Sequence, residues 1–293
     1  MPATAVRERD DLDVSLAAAR GPLLSPRSSR RALEDLWDGL RARDLWAHLG
    51  WQDVKARYRR SFIGPFWITI SMAVMAAGLG VLYSALLGIP MRTLLPSVLV
   101  GFIAWNFISG CVLEGAGAFI ANEGLIRHVP SPMSVYAYRN VWRQLLFFVH
   151  NLVVYGVLLI VFPQPLNWWS LLAIPALVLL AVNGTWMTLV FGIISTRFRD
   201  VPPVLGSLMQ LAFYVTPIVW QYDVLVKNAG VGDRARIAKL NPFLHYVEIL
   251  REPMLGQPIL WSSWMVVGVL TVLGWALTFV LYRNYRSRIS YWV

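Results

Sequence analysis

Cysteine is nearly absent: Cys111 is the only thiol in 293 residues. The chain therefore has no internal disulfide and no Cys-x-x-Cys metal or redox motif. Within its apolar run, Cys111 reads as a small buried residue. Lysine is scarce too. Lys55, Lys227 and Lys239 are the three, and none follows a GxxxxG pattern, so there is no P-loop. His48, His128, His150 and His245 lie far apart, without metal-ligand spacing, and no metal site is expected. His150 falls inside an apolar run, where a packed polar residue and a proton relay both fit. No GxSxG and no paired-carboxylate motif appears. Asp223, Glu248 and Glu252 are the acids that a membrane-bound glycan transferase would use; solvated loop charges are the favoured reading of them. Charge of either sign is thin, 14% against about a quarter in soluble domains. Residues 1–30 lack the apolar core of a signal peptide and are expected to form a disordered, uncleaved tail. No internal repeat is visible, nor the paired broken helices of many secondary transporters.

Hydrophobic residues, in contrast, make up 57% of the chain, with a mean hydropathy of +0.55. This composition belongs to an integral membrane protein. The net charge of +10 then reads as basic residues gathered on cytoplasmic loops. No nucleic-acid partner is expected, since no basic patch sits on a recognisable soluble fold.

A helix needs about 20 apolar residues to cross the hydrocarbon. Six stretches qualify: Phe66 to Leu87, Leu94 to Phe119, Val141 to Phe162, Trp168 to Ser195, Val204 to Trp220 and Ile259 to Tyr282. The fourth carries Pro175, a candidate kink. The fifth is barely long enough and contains Pro217. With the N-terminus inside, twenty of the 26 Lys and Arg residues fall on inner segments, which places both termini in the cytoplasm. The expected fold is all-α, with six transmembrane helices.

Two segments are neither spans nor simple loops. Residues 31 to 63 read as a helix with two offset apolar faces: Leu33, Leu36, Trp37 and Leu40 on one, Trp51, Val54, Tyr58 and Phe62 on the other. Lying flat at the inner headgroups suits it, as does a plain basic anchor. Gly64-Pro65 then turns the chain upright into the first span. Tyr222 to Pro258, on the outer side, mixes charges with short apolar runs. Asn241-Pro242 reads as a helix start, and short re-entrant helices are possible there if protein or a wet cavity covers them.

Glu114 is the acid inside a span, and should face a wet lumen, a partner or the inner interface. Among the 14 Trp residues, Trp67, Trp168, Trp169, Trp261, Trp264 and Trp292 suit interfacial belts. Phe102 and Trp105 in the second span, and Phe213 and Tyr214 in the fifth, suit them less. Flat rings facing a lumen would hold the apolar faces of sugars without fixing a register; lipid contact and helix packing are the other readings.

Four blocks, in order, carry a resemblance: RYRRSFIGPFW (Arg57 to Trp67), NEGLIRHVPSP (Asn122 to Pro132), RFRDVPPVLGSLMQLAFYVTPIVW (Arg197 to Trp220) and NPFLHYVEILREPMLG (Asn241 to Gly256). Together they resemble the transmembrane subunits of polysaccharide ABC exporters, the ABC-2-type permeases that move O-antigen, capsule, teichoic acid or galactan chains. The stretch His128 to Pro132 departs from the family pattern of a basic residue, Val and an aromatic before Pro.

The resemblance implies a multi-pass protein of the bacterial cytoplasmic membrane, working as a homodimer. Two separate P-loop ATPase subunits would hold Mg-ATP, with no cofactor in this chain, and the substrate would be a lipid-linked polysaccharide among membrane lipids. Residues 31–65 would be the interfacial helix and 66–293 the six-span domain. Asn122, Glu123, Leu125, Ile126, Arg127 and His128, within a coupling segment 120–134, would meet the ATPase. Asn241, Pro242, Arg251 and Glu252, within 222–258, would form the external gate. Arg57, Arg59 and Arg60 would meet the lipid diphosphate, unless they serve only as positive-inside anchors. An ABC-2-type exporter of a lipid or drug would share this topology.

Overall fold

The computed structural model describes residues 28–59, 64, 66–220 and 237–293. The tail over 1–27, Arg60, the bend around Pro65 and most of the outer segment before Ile237 lie outside the described residues. Among the described residues the fold is all-α, with no strand.

Ten helices carry it: α1 (Ser29–Arg41), α2 (Arg43–Tyr58), α3 (Phe66–Leu87), α4 (Met91–Ala116), α5 (Glu123–His128), α6 (Ser134–Val161), α7 (Ala173–Arg197), α8 (Val201–Val215), α9 (Pro242–Met254) and α10 (Trp261–Trp292). Short 3-10 turns precede α5, α7 and α9. The helix expected over 31–63 is thus two, broken at Ala42, which accounts for the offset between its apolar faces.

Among the described residues, five helices are long and apolar enough to cross a membrane. The remaining expected span is α8. It ends at Val215, because Thr216 turns to extended backbone before Pro217. Its 15 residues reach about 22 Å, short of the ~30 Å hydrocarbon. Pro175 lies in the first turn of α7, where its missing N–H costs nothing, so it produces no kink.

Helix α4 is the centre of the bundle. It packs against α3, α6, α7, α8 and α9, and most of its side chains are buried, from Leu94 to Ala116. Its crossing with α7 depends on glycine. A Cβ on Gly115 would lie 2.9 Å from the Cα of Thr188, and one on Gly192 would lie 3.1 Å from the Gly115 carbonyl. Small residues let membrane helices approach this closely.

One end of the bundle, the basal end, gathers α1, α2, α5 and the C-terminal part of α10. Helix α2 docks on α6: Gly50 seats against Trp142, and Trp46 meets Trp142 and Tyr138 with ring centroids 5.8 and 6.4 Å apart. Helix α1 is tied to α6 and α10 through its backbone carbonyls, Leu36 accepting from Tyr138 and Arg31 from Arg286, both at 3.0 Å, and through the Asp35 carboxylate. Asp35 accepts the backbone N–H groups of Met133 and Ser134 at 3.2 and 3.1 Å, capping α6. It also accepts from Tyr282 and, at 3.1 Å, from Arg286 on α10. The described parts of both chain ends therefore lie at the same end of the bundle.

The opposite, apical end carries α9 and the loop 162–172. Gly256 has φ +68°, which favours glycine, and a Cβ there would lie 2.2 Å from the Pro165 carbonyl. Asn167 donates to the Gly256 carbonyl at 2.9 Å and closes that contact.

Candidate functional site

The basal end holds a network of five charged side chains. Glu114, at the last turn of α4, accepts from Arg57 at 2.9 Å, Arg143 at 2.7 Å and Gln144 at 2.8 Å. Asp53 on α2 accepts from Arg139 at 2.8 and 2.5 Å and from Arg143 at 3.0 Å. Arg139 also donates to the Asn122 side-chain oxygen at 2.7 Å. Burial pushes the Asp53 carboxyl up, but hydrogen bonds and charge from Arg139 and Arg143 outweigh it and hold it below its ordinary value.

Glu114 therefore sits at the basal end of α4, paired with cations from both α2 and α6. Asp53, Arg139 and Arg143 stand out less in the sequence. The cost of a lone acid in a span was the available signal, since it demands nearby cations. Arg139 and Arg143, four residues apart on α6, share the helix face that answers that demand.

The three arginines weighed for phosphate fare differently. Arg57 is bound to Glu114, with its guanidinium 4.9 Å from the Phe147 ring centroid, and its side chain stays 46% exposed. Arg59 is exposed just beyond the end of α2, and Arg60 lies outside the described residues.

The six residues expected to meet an ATPase sit together at the basal end. Asn122 turns inward: its amide donates to the Ala118 carbonyl at 2.7 Å while its oxygen takes Arg139. Ile126 is buried against Phe119, Ile289 and Val293. Glu123 and Arg127 pair at 2.8 Å, and Arg127 also donates to the Val293 carbonyl. His128 Nδ1–H donates to the Gly124 carbonyl at 2.8 Å. Leu125 and His128 are outward.

The four aromatics form one contiguous set. Phe213 lies 5.5 Å from Phe102, 5.7 Å from Trp105 and 5.5 Å from Tyr214, centroid to centroid, and Phe243 of α9 joins Trp105 at 5.5 Å. Their exposure differs. Phe102 and Trp105 are 6% and 7% exposed, whereas Tyr214 is 67% exposed. Along α8, Pro203, Ser207, Gln210 and Tyr214 form one exposed line, and Val204, Leu208, Leu211 and Val215 form the next.

The four residues expected to form an external gate lie by the end of α8. Asn241 caps α9, accepting from the Phe243 N–H at 3.0 Å, and donates to Thr216 at 2.8 Å. Pro242 occupies the first helical position, as its fixed φ favours. Arg251 is buried, donates to the Pro217 carbonyl at 2.7 Å and lies 3.5 Å from Glu252. Glu248, weighed above as a solvated acid, is buried and accepts from Ser263. Asp223 lies outside the described residues. Among the described residues no group of His, Cys, Asp and Glu could hold a metal.

An all-α bundle with five long apolar helices, an ionic network at one end and capping helices at both ends defines a multi-pass integral membrane protein. The model of the ABC-2 type transporter family matches residues 44–255, and the chain belongs to that family. Among its relatives is the O-antigen export system permease protein RfbA of Myxococcus xanthus, 27% identical over 247 residues, which cover 80% of this chain and 90% of that one. Two proteins of the same name from Klebsiella pneumoniae are also similar. One is 26% identical over 190 residues, 62% of this chain and 71% of its own. The other is 24% identical over 244 residues, 81% of this chain and 89% of its own.

Proposed function

We propose that this chain is the permease subunit of an ATP-driven exporter that moves a lipid-linked polysaccharide of O-antigen, teichoic acid or galactan type across the cytoplasmic membrane. The family match and the names of the relatives support the exporter. The six crossings are the five long helices plus α8, with both termini in the cytoplasm, so that the basal end faces inward. Two copies pair around a tunnel, and two separate P-loop ATPase subunits supply the energy from Mg-ATP.

One observation carries the tunnel. Ser207, Gln210 and Tyr214 are exposed in a row on an otherwise apolar helix. An exposed amide in hydrocarbon is costly, so this line faces water or a second copy. The adjoining apolar line is left for lipid or for the partner's α8. Tyr214 stands on the aromatic set, whose other rings hold its base in place. A polymer longer than the bilayer is thick cannot be enclosed by alternating access around one midplane site; a continuous conduit can pass it.

In this reading the 120–134 segment docks in the ATPase. Its motion passes from Asn122 through Arg139 to Asp53, and so to α2. Arg57 and Arg59 meet the diphosphate as it arrives at the inner surface; guanidinium groups bind phosphate bidentately. Asn241 and Arg251 tie α9 to the exit end of α8 as the gate.

The test is transport in inverted vesicles holding the chain, its co-expressed ATPase and a lipid-linked glycan. ATP-dependent protection of the glycan from an added glycosidase is expected. Failure of the chain to co-purify with any P-loop ATPase, or glycan protection without ATP, overturns the reading.

A further inference from the structure

At the apical end, α9 and α10 are joined by a buried chain of three side chains that the transport path does not use. His245 and Glu248 lie one turn apart on α9 and are each 8% exposed; Ser263, in the first turn of α10, is 1% exposed. His245 Nε2 lies 2.9 Å from the Lys239 carbonyl, His245 Nδ1 lies 2.9 Å from Ser263 Oγ, and Ser263 Oγ lies 2.5 Å from Glu248 Oε2. This is no nucleophile triad. A general base would hold the serine on one ring nitrogen and the acid on the other, whereas both converge on the Nδ1 side.

The hydrogens can be counted. A carbonyl only accepts, so Nε2 carries a proton. Two contacts remain, Nδ1 to Oγ and Oγ to Oε2, and the hydroxyl has one hydrogen to fill them. If Ser263 donates to Glu248, Nδ1 must donate to Ser263, and the ring is doubly protonated. If Ser263 donates to Nδ1, the carboxyl must donate to Ser263. Either way the trio holds one proton more than a neutral imidazole and a carboxylate hold together.

We propose that His245, Ser263 and Glu248 form a proton-binding site that clasps α9 to the start of α10. The ligand is a proton drawn from the apical side. With it bound, each of the three contacts has its own hydrogen. Without it, two lone pairs face each other across the Nδ1–Oγ contact, and the clasp opens at that point. Among the described residues, Arg251 turns to the Pro217 carbonyl and Glu252, and Lys239 and Arg92, in the first turn of α4, are exposed charges at this end. The outer halves of α7 and α10 carry no charged residue. The clasp rests on the proposed function only for its direction, because that reading places the apical end outside the cell, where a proton would then hold the exit segment closed.

The test uses the full chain in lipid nanodiscs, with a trifluoromethyl label on Leu260→Cys, an exposed position at the α10 N-terminus; native Cys111 is buried. The 19F shift is followed from about pH 5 to about pH 10, a range that brackets the ordinary histidine value of ~6.5. One single-proton step is expected. Glu248→Gln removes it, because the amide can donate to Ser263 and Ser263 to a neutral ring, filling all contacts without the extra proton. His245→Gln also removes it, because the amide can donate to Ser263 and Ser263 to the carboxylate, and it serves if Glu248→Gln does not fold; Ser263→Ala would not, since it leaves His245 Nδ1 facing Glu248 Oε2 at 3.7 Å. Absence of the step in the parent, or a step of equal size in Glu248→Gln or His245→Gln, overturns the proposal. The assay needs no transport, so its failure is separable from failure of the exporter reading.

Discussion

Asp53→Asn isolates the tie between α2 and the body of the bundle. The carboxylate takes three hydrogen bonds from two guanidinium groups, and all three side chains are between 13% and 20% exposed. The amide keeps one acceptor and turns a donor toward Arg139. A hydrogen bond to a charged group contributes about 1.5–3 kcal/mol, and removing one partner of a buried ion pair costs about 3–5 kcal/mol. Here the cations keep other partners, Arg139 through Asn122 and Arg143 through Glu114, and the site is partly wet. A net cost of about 2–3 kcal/mol follows. The tryptophan contacts of α2 remain, so the helix stays docked on average but opens more often. At about 1.4 kcal/mol per tenfold, its opening equilibrium rises roughly 30- to 150-fold. Hydrogen exchange reads such local opening directly. Amides of α2 should lose protection by that factor in nanodiscs, while those of α7 hold theirs. A loss below about threefold in α2, or an equal loss in α7, refutes the account of Asp53 as a local tie.

Three further outcomes are expected. The Asp53 carboxyl is held below its ordinary value, so its contribution is complete above about pH 4 and is lost as pH falls through the depressed value; acid titration of α2 protection should show loss in that direction, absent in Asp53→Asn. Gly115→Ala places a methyl 2.8–3.1 Å from Thr188 atoms, backbone included. Overpacking of this kind costs about 1–3 kcal/mol, to be seen as a lower midpoint in a thermal scan, and an unchanged midpoint would show that α4 and α7 can part. Gln210→Leu should change stability by no more than about 0.5 kcal/mol, as an exposed position does, yet slow glycan export in vesicles; unchanged export removes α8 from the tunnel wall.

Much of the fold was legible because apolar runs report length directly. The limits of α3 were read to the residue, and Asn241-Pro242 was read as a helix start from cap chemistry. Elements that depend on distant partners were not. Arg57 finds Glu114 across 57 positions, and Asp53 finds Arg139 across 86; no periodicity marks such pairs. The break at Ala42 has neither proline nor glycine to announce it, and the contact of α1 with α6 and α10 imposes it. Phe102 and Trp105 read like lumen candidates by type, but rings buried at the base of Tyr214 look the same in a sequence as rings that line a passage. Glu248 read as a loop acid because Ser263, its partner, is an ordinary residue lying beyond the next turn.

The Asp35 carboxylate has a consequence for how the protein is made. It caps α6 and takes Tyr282, 247 residues further on. During synthesis α1 emerges first among the described helices, long before Tyr282 and Arg286 exist. Its seat stays incomplete until the final helix has inserted beside α7. Of the described helices the first made is thus the last to be fully secured, and a ribosome stalled before Tyr282 leaves the Asp35 carboxylate with only the α6 N-terminus to hold.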